Sequence, residues 1–475
     1  MIRRYYATKD NTITNAFEEN LSTRATGSNM GASDILETFS IYAQNSSSAG
    51  FSSELARVLI EFDTSRLTTD RAAGKLPASG SVSWYLKMFN APHSQTVPSE
   101  FDIEVSAVSA SWQEGYGIDM DYYEDLTNDV VGSNWIRRSA GTAWTSPGGD
   151  YHAAPTFTQT FNTGLEDLEV DVSDLVEQWL SGSKSNYGFG VKLPSSTEGL
   201  AKSFYTKKFF GRDSEFFFQR PVLEARWDSA RRDNRADFFI SSSAAPAADN
   251  LNTLFLYNNI RGDLVDIPAI GTGSIYVDLY STVGSEANRL NTDAFTGSHV
   301  STGIYQCEVF SNTVEDRIFD VWYGGARSVP FNYHTGTIDT KPVVLNSKRL
   351  IYVLSMPNLK DEYRKDQRDR LDLYLREKNW SPNIYTEAIR TSIPTLIVPS
   401  ASFQIRRAID DLVVVPYGTG SLMHTGLSYD VSGNYFELDT TYLEAGYLYD
   451  IQYSFYDEEN GWEEQPYRFK FRVVD

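Results

Sequence analysis

Apolar and polar residues alternate with a period of two along most of this chain, and nothing else in the sequence constrains its fold as tightly. Successive side chains of a strand point to opposite faces, so this pattern predicts half-buried sheets rather than helices. Residues 57–63, 81–88 and 101–108 alternate in this way near the N-terminus. Residues 202–206 and 221–227 follow, then 254–257, 275–280, 303–310 and 318–323. Residues 349–354, 449–456 and 467–473 complete the set, and Asn460-Gly461 supplies turn chemistry between the last two. One segment breaks the rule. Over 172–182 the spacing of Leu175, Val176 and Trp179 predicts a helix, with Ser173 as its cap and Gly182 as its end.

Two interruptions divide the pattern. The polar run Asp228-Ser229-Ala230-Arg231-Arg232-Asp233-Asn234-Arg235 predicts a linker over 229–236, and Thr340-Lys341-Pro342 marks a second boundary. The expected domains are therefore 1–228, 237–341 and 342–475. The charge-dense run 361–370 leads into Leu371, Leu373 and Leu375, which alternate with polar residues. It reads as a charged loop entering a strand.

Composition excludes several classes. With 42 Lys and Arg against 63 Asp and Glu, the formal charge is −21, and a pI near 4.7 argues against nucleic acid as a partner. No apolar run approaches the ~20 residues of a membrane span, and Arg3-Arg4 precede no apolar stretch of the kind a secretory signal needs. A single cysteine, Cys307, excludes an intrachain disulfide framework. It sits in a strand pattern and reads as a buried thiol. The five histidines show no metal-pair spacing, and no Gly-x-Ser-x-Gly elbow is present, so the expectation is a non-enzyme. Ser181-Gly182-Ser183-Lys184, Arg261-Gly262-Asp263 and Gly271-Thr272-Gly273 all read as turns. The 29 Tyr, 27 Phe and 9 Trp suit both strand cores and wet interfaces.

Two constellations carry candidate chemistry. Asp119, Asp121 and Asp125, with Glu124 and Asp129, crowd oxygen ligands into a short stretch, and Ca²⁺ takes about six to eight oxygens. No EF-hand spacing is present, so a solvated or docking acidic loop is the competing reading. Trp112, Trp135, Trp144 and Tyr151 could form an aromatic platform for a saccharide, or could pack their own segment onto the fold.

An ordered series of motifs spans the first 228 residues. Lys9-Asp10-Asn11-Thr12-Ile13 opens it, followed by Arg57, Leu59, Ile60, Phe62 and Asp63, then Trp112-Gln113-Glu114-Gly115. Asp171-Val172-Ser173 with Val176, Trp179 and Gly182 comes next, then Asn186-Tyr187-Gly188-Phe189 and Arg220-Pro221-Val222-Leu223. In this order they resemble the DNRLRE-type β-sandwich family, jelly-roll modules related to carbohydrate-binding modules. The segment 116–151 is longer than in typical members. That expansion is similar to virion structural proteins of tailed bacteriophages, as are 379–386, Val415-Pro416-Tyr417-Gly418-Thr419, Leu427-Ser428-Tyr429-Asp430 and Phe469-Lys470-Phe471-Arg472-Val473.

The resemblance implies an all-β chain, a jelly-roll-like β-sandwich followed by two smaller immunoglobulin-like β-sandwich domains. It implies a structural place in a virion, on the tail, baseplate, neck or head exterior, assembled in host cytoplasm, in a symmetric homo-oligomer with other virion proteins as partners and no membrane. Asp119, Asp121, Trp135, Tyr151, Arg364, Arg368 and Arg370 are the expected assembly contacts. A carbohydrate-binding adhesion module touching a host glycan is the alternative, and an acidic hydrolase ranks third.

Overall fold

The computed structural model describes residues 1–42, 53–93, 97–118, 132–244, 246–327, 331–340, 351–381, 383–384, 395–420, 422–457 and 460–475. The chain is mostly β, with several antiparallel sheets. It divides into two compact units, Ile2–Trp227 and Asp228–Asp475, the latter with Met1.

In Ile2–Trp227, a four-stranded sheet runs in the order Ile2–Tyr6, Val222–Arg226, Ser83–Met88, Leu168–Asp171. The strands at the two ends of the unit pair directly, Ile2 opposite Arg226. A seven-stranded sheet runs Phe204–Phe210, Ile35–Tyr42, Ser53–Glu61, Phe189–Lys192, Phe101–Val108, Tyr151–Phe161, and Lys9–Thr14 pairs with Ser53–Glu61. Alternation in sequence becomes alternation in burial. Trp84, Leu86 and Met88 are fully buried while Ser83, Tyr85 and Lys87 are half-buried.

The helix expected over 172–182 spans Ser173–Leu180 and buries Leu175, Val176 and Trp179, and Gly182 follows it at φ +74. Its cap differs from expectation. Val172 is the capping residue and makes no side-chain cap bond. The Ser173 hydroxyl instead accepts from the Trp84 amide and donates to Asp171, tying the helix to the sheet beneath it. A second helix, Thr64–Ala72, was not expected. Asp63 caps it by accepting from the Ser65 amide at 2.8 Å, and Leu67 is its one buried residue.

Asp228–Asp475 carries three large sheets. A six-stranded sheet runs Asn252–Tyr257, Ile304–Val309, Phe295–Ser301, Ile275–Tyr280, Arg317–Gly324, Phe331–Asp339. One face closes over a core that includes Leu254, Val277, Tyr305, Cys307, Ile318 and Trp322. Cys307 is buried as a free thiol, and burial pushes it up to about 12. Toward the C-terminus a four-stranded sheet (Tyr352–Ser355, Arg368–Glu377, Gly433–Asp439, Ser428–Asp430) faces a second six-stranded sheet. Phe436 of the first stacks on Phe403 of the second at 4.0 Å. The second sheet contains a parallel pair, Glu362–Arg364 beside Phe469–Val474.

The polar run 228–235 is bonded along its length. The Tyr429 amide donates to the Arg231 carbonyl, the Asp233 amide donates to the Tyr429 carbonyl, and the Asn234 amide donates to the Thr253 carbonyl. Arg235 is nearly buried between Asp233 and Asp320, and the indole of Trp322 donates to the same Asp320 at 2.6 Å. Of the expected strand 349–354, the part from Tyr352 on forms a strand, and residues 341–350 lie outside the described residues, as do 382, 385 and 386.

Candidate functional site

A narrow polar neck joins residues 113–117 to Ser133 within the expanded segment 116–151. Asn11 and Asn29, both buried, are its centre. Asn11 Nδ2 donates to the Ser133 carbonyl and hydroxyl at 2.9 and 2.8 Å, and its Oδ1 accepts from the Met30 amide. Asn29 Nδ2 donates to the carbonyls of Glu114 and Ser133, and its Oδ1 accepts from the Gly117 amide. Backbone bonds from Ser133 to Gln113 and from Ala32 to Gly117 close the ring. Asn29 thus ties residues 114–117 to Ser133, and Asn11 adds a second hold on Ser133.

Two glycines make the neck this narrow. Gly115 (φ +89) and Gly132 (φ +91) take a conformation L side chains rarely adopt. A Cβ on Gly132 would lie 2.7 Å from the Gly115 Cα, and one on Gly115 would strike the Asn29 amide at 2.3 Å. The Asp-Asn opening and the Trp-Gln-Glu-Gly turn thus meet in space. Glu114 Oε1 accepts from the Asp10 amide at 2.9 Å and from Arg212 Nε at 3.1 Å.

Asp10 is the electrostatic oddity of the neck. It is fully buried, its Oδ2 accepts from the Arg212 amide at 2.5 Å, and its Oδ1 has no partner. Burial pushes its carboxyl up to about 7, against the pull of Arg212 and with the help of Glu114 and Asp213.

The four aromatic candidates gather beside the neck, with their rings turned inward. Trp112, Trp135 and Trp144 are 4%, 6% and 4% exposed and pack with Ile13, Leu59 and Val108. Trp112 Nε1 donates to the Tyr187 carbonyl and Trp144 Nε1 to the Asn134 carbonyl, both at 2.9 Å. Tyr151 is half-buried against this cluster and donates to the Gly148 carbonyl at 2.9 Å. Its phenol is pushed up to about 12 by burial. Arg57 lies over both Trp135 and Tyr151 and pairs with Glu198 at 2.6 Å. The expectation of an exposed aromatic platform is corrected on this point, and so is Trp135 as a surface contact. The rings form a second small core that holds the expanded segment to the sheet.

The acidic candidates Asp119, Asp121 and Asp125 lie outside the described residues, so their geometry adds nothing to the Ca²⁺ reading. Among the described residues, no group of three or more His, Cys, Asp or Glu is arranged to hold a metal. What the neck does expose is apolar. Tyr116 and Ile118, next to the acidic stretch, are 80% and 65% exposed. Composition gave no warning of them, because their neighbours Trp112 and Trp135 are buried.

The second candidate region, 361–370, is a strand, a turn and the start of a strand. Tyr363 is buried, its ring edge-on to Phe471 at 5.5 Å, and Asp366 makes the turn at φ +63. Much of its charge is matched within the chain. Arg368 pairs with the buried Asp439 at 2.8 Å. Arg370 pairs with Asp372 and Asp430 and lies 3.5 Å over the Tyr435 ring. Lys360 pairs with Asp369 at 2.8 Å. Arg364 is exposed, and with Lys360 and Lys365 it lines an open groove of about 680 Å³.

No family model matches the chain, and no curated protein matches it. Among solved structures it is similar to alpha-2-macroglobulin of Salmonella reacted with methylamine, at 8% identity and a TM-score of 0.15, covering 93% of this chain and 21% of that one. The native conformation of E. coli alpha-2-macroglobulin gives 9% identity and a TM-score of 0.15, covering 94% and 20%. The chain spans about a fifth of the length of these proteins. A likeness this distant carries no argument about fold or function.

Proposed function

We propose that the chain is a non-enzymatic structural protein of a tailed-bacteriophage virion, acting through contacts with other virion subunits. In this reading residues 1–228 are a jelly-roll-like β-sandwich, joined through 229–236 to immunoglobulin-like β-sandwiches over 237–341 and 342–475. The chain is assembled in host cytoplasm into a symmetric homo-oligomer within the particle. The observation that carries the reading is the neck. Asn11 and Asn29 hold Glu114, Gly117 and Ser133 on either side of the acidic stretch, while Tyr116 and Ile118 beside it stand exposed. Large exposed apolar side chains on a rigid base are the features of a docking site. The groove lined by Lys360, Arg364 and Lys365 together with Glu362 and Asp366 sets charges of both signs where they can orient a neighbour.

Peptide mass spectrometry of gradient-purified particles tests the assignment. The chain is expected in the particle in stoichiometric amount. Replacing Tyr116 and Ile118 together with Ser is expected to lower incorporation while leaving the melting temperature of the isolated chain unchanged. Absence from particles, or full incorporation of that variant, refutes the reading.

A further inference from the structure

The edge strand Phe204–Phe210 of the seven-stranded sheet buries a lysine. Lys207 is 1% exposed, and its Nζ lies 5.1 Å from the ring centres of both Phe161 and Phe209. Its three hydrogen-bond acceptors are all uncharged. They are Asn90 Oδ1 at 2.5 Å and the carbonyls of Gly164 and Glu166, each at 2.9 Å. Burial pushes the ammonium down to about 8, against the pull of Asp167 and Glu166, so about a tenth of it is free amine at pH 7.

Its side-chain partner is held as firmly. Residues 89–91 follow Ser83–Met88 of the four-stranded sheet and lie antiparallel to 208–210. The Phe210 amide donates to the Phe89 carbonyl, and the Ala91 amide to the Lys208 carbonyl. The Asn90 amide donates to Asp167 Oδ1 at 2.7 Å. His93 Nε2 lies 3.2 Å from the same Asn90 Oδ1 that meets Lys207.

These contacts set an amine against a carboxamide. The Asn90 Cγ is bonded to Oδ1 at about 1.2 Å, so it lies within about 3.7 Å of Nζ, near the separation at which oriented groups react. A neutral amine has two protons and one lone pair. The Gly164 and Glu166 carbonyls take the two protons, and the lone pair then points in the third direction, where the Asn90 side chain stands. A desolvated lysine is a nucleophile in this form.

We infer that Lys207 and Asn90 join in an isopeptide bond within the chain. Nζ attacks Cγ, and the carbonyl electron pair moves onto Oδ1. His93, with its proton on Nε2, donates a hydrogen bond to that oxyanion. Burial and the nearby Lys207 and Lys208 hold His93 below its usual value, so it serves as a neutral donor. One Nζ proton passes to Nδ2, the carbonyl re-forms, the Cγ–Nδ2 bond breaks and ammonia leaves. The new bond closes a long loop and ties the edge of the seven-stranded sheet to the end of a strand in the four-stranded one. A chain with one cysteine has no disulfide for that task. The inference does not rest on the virion assignment, which is read by particle incorporation.

Intact mass spectrometry of the purified full chain reads the reaction. After incubation at pH 9 the chain is expected to weigh one ammonia less than its sequence, and a Glu-specific digest to contain a branched peptide joining Asn90 to Lys207. Asn90→Ala is expected to keep its full mass. His93→Phe is expected to slow the loss of ammonia roughly tenfold or more. The full sequence mass in the parent chain overturns the inference. So does ammonia loss that Asn90→Ala retains, since a succinimide at Asn460-Gly461 also releases ammonia. An unchanged rate in His93→Phe overturns the role given to His93. The parent mass and the branched peptide decide the matter without any variant having to fold.

Discussion

Replacing Asp10 by Asn tests the electrostatics of the neck. The folded carboxyl titrates at about 7, against 3.8 as its reference. Between those values the folded chain holds a proton that the unfolded chain has released, so stability falls as pH rises through this window. Above pH 7 the full cost of the buried charge is present. At about 1.36 kcal/mol per pH unit, the distance between the two values corresponds to about 4 kcal/mol. Asn keeps an oxygen to accept from the Arg212 amide and cannot ionise. It also places an NH2 where Oδ1 lacks a partner, a penalty of about 1–3 kcal/mol that does not vary with pH. The difference between variant and parent isolates the titration, because all other groups cancel. The variant's relative stability is expected to rise by about 2.5 kcal/mol between pH 5 and pH 8, measured by urea unfolding with tryptophan fluorescence. Parallel stability curves across that range would refute the argument.

Other consequences follow from the same contacts. Gly132→Ala places a Cβ against the Gly115 backbone in a left-handed conformation, and is expected to lower unfolding free energy by about 2 kcal/mol or more in denaturant melts. Asp320→Ala strands Arg235 and the Trp322 indole in the interior, so a loss of about 3–5 kcal/mol is expected from the same assay. Limited trypsin digestion is expected to spare Arg231, Arg232 and Arg235, because backbone bonds to Tyr429 and Thr253 hold that run in place. Early cleavage there would show the run to be free. Cys307 is expected to resist thiol reagents at pH 8 in the folded chain and react on unfolding, since burial keeps it protonated.

Strands were legible wherever one face is buried, because a period of two in sequence is burial written directly. Residues 101–108 and 275–280 match their strands end to end, and Leu371, Leu373 and Leu375 resolved a charge-dense run into a strand start. Thr64–Ala72 was missed for the same reason in reverse. Only Leu67 is buried, so no apolar stripe betrays the helix, although Asp63 two residues before Ser65 was a readable cap. Ser173 is not the cap because it is already the first residue of the helix, and its hydroxyl accepts from the Trp84 amide across the packing interface instead.

The sites were less legible because their parts are far apart along the chain. The neck joins Asp10, Asn29, Glu114, Ser133 and Arg212. Local spacing carries no trace of such meetings. Tryptophan shows the limit plainly. A ring in an insertion can stack on a ligand or seal the insertion to its base, and sequence offers the same letters for both. Burial of Trp112, Trp135 and Trp144 with Ile13 and Leu59 settles that these rings seal. The exposed apolar surface then belongs to Tyr116 and Ile118. The Asn29 bonds to Glu114 and Gly117 fix the backbone that carries this surface. A chain with many internally matched charges is thereby left with a few directional features through which to meet a partner.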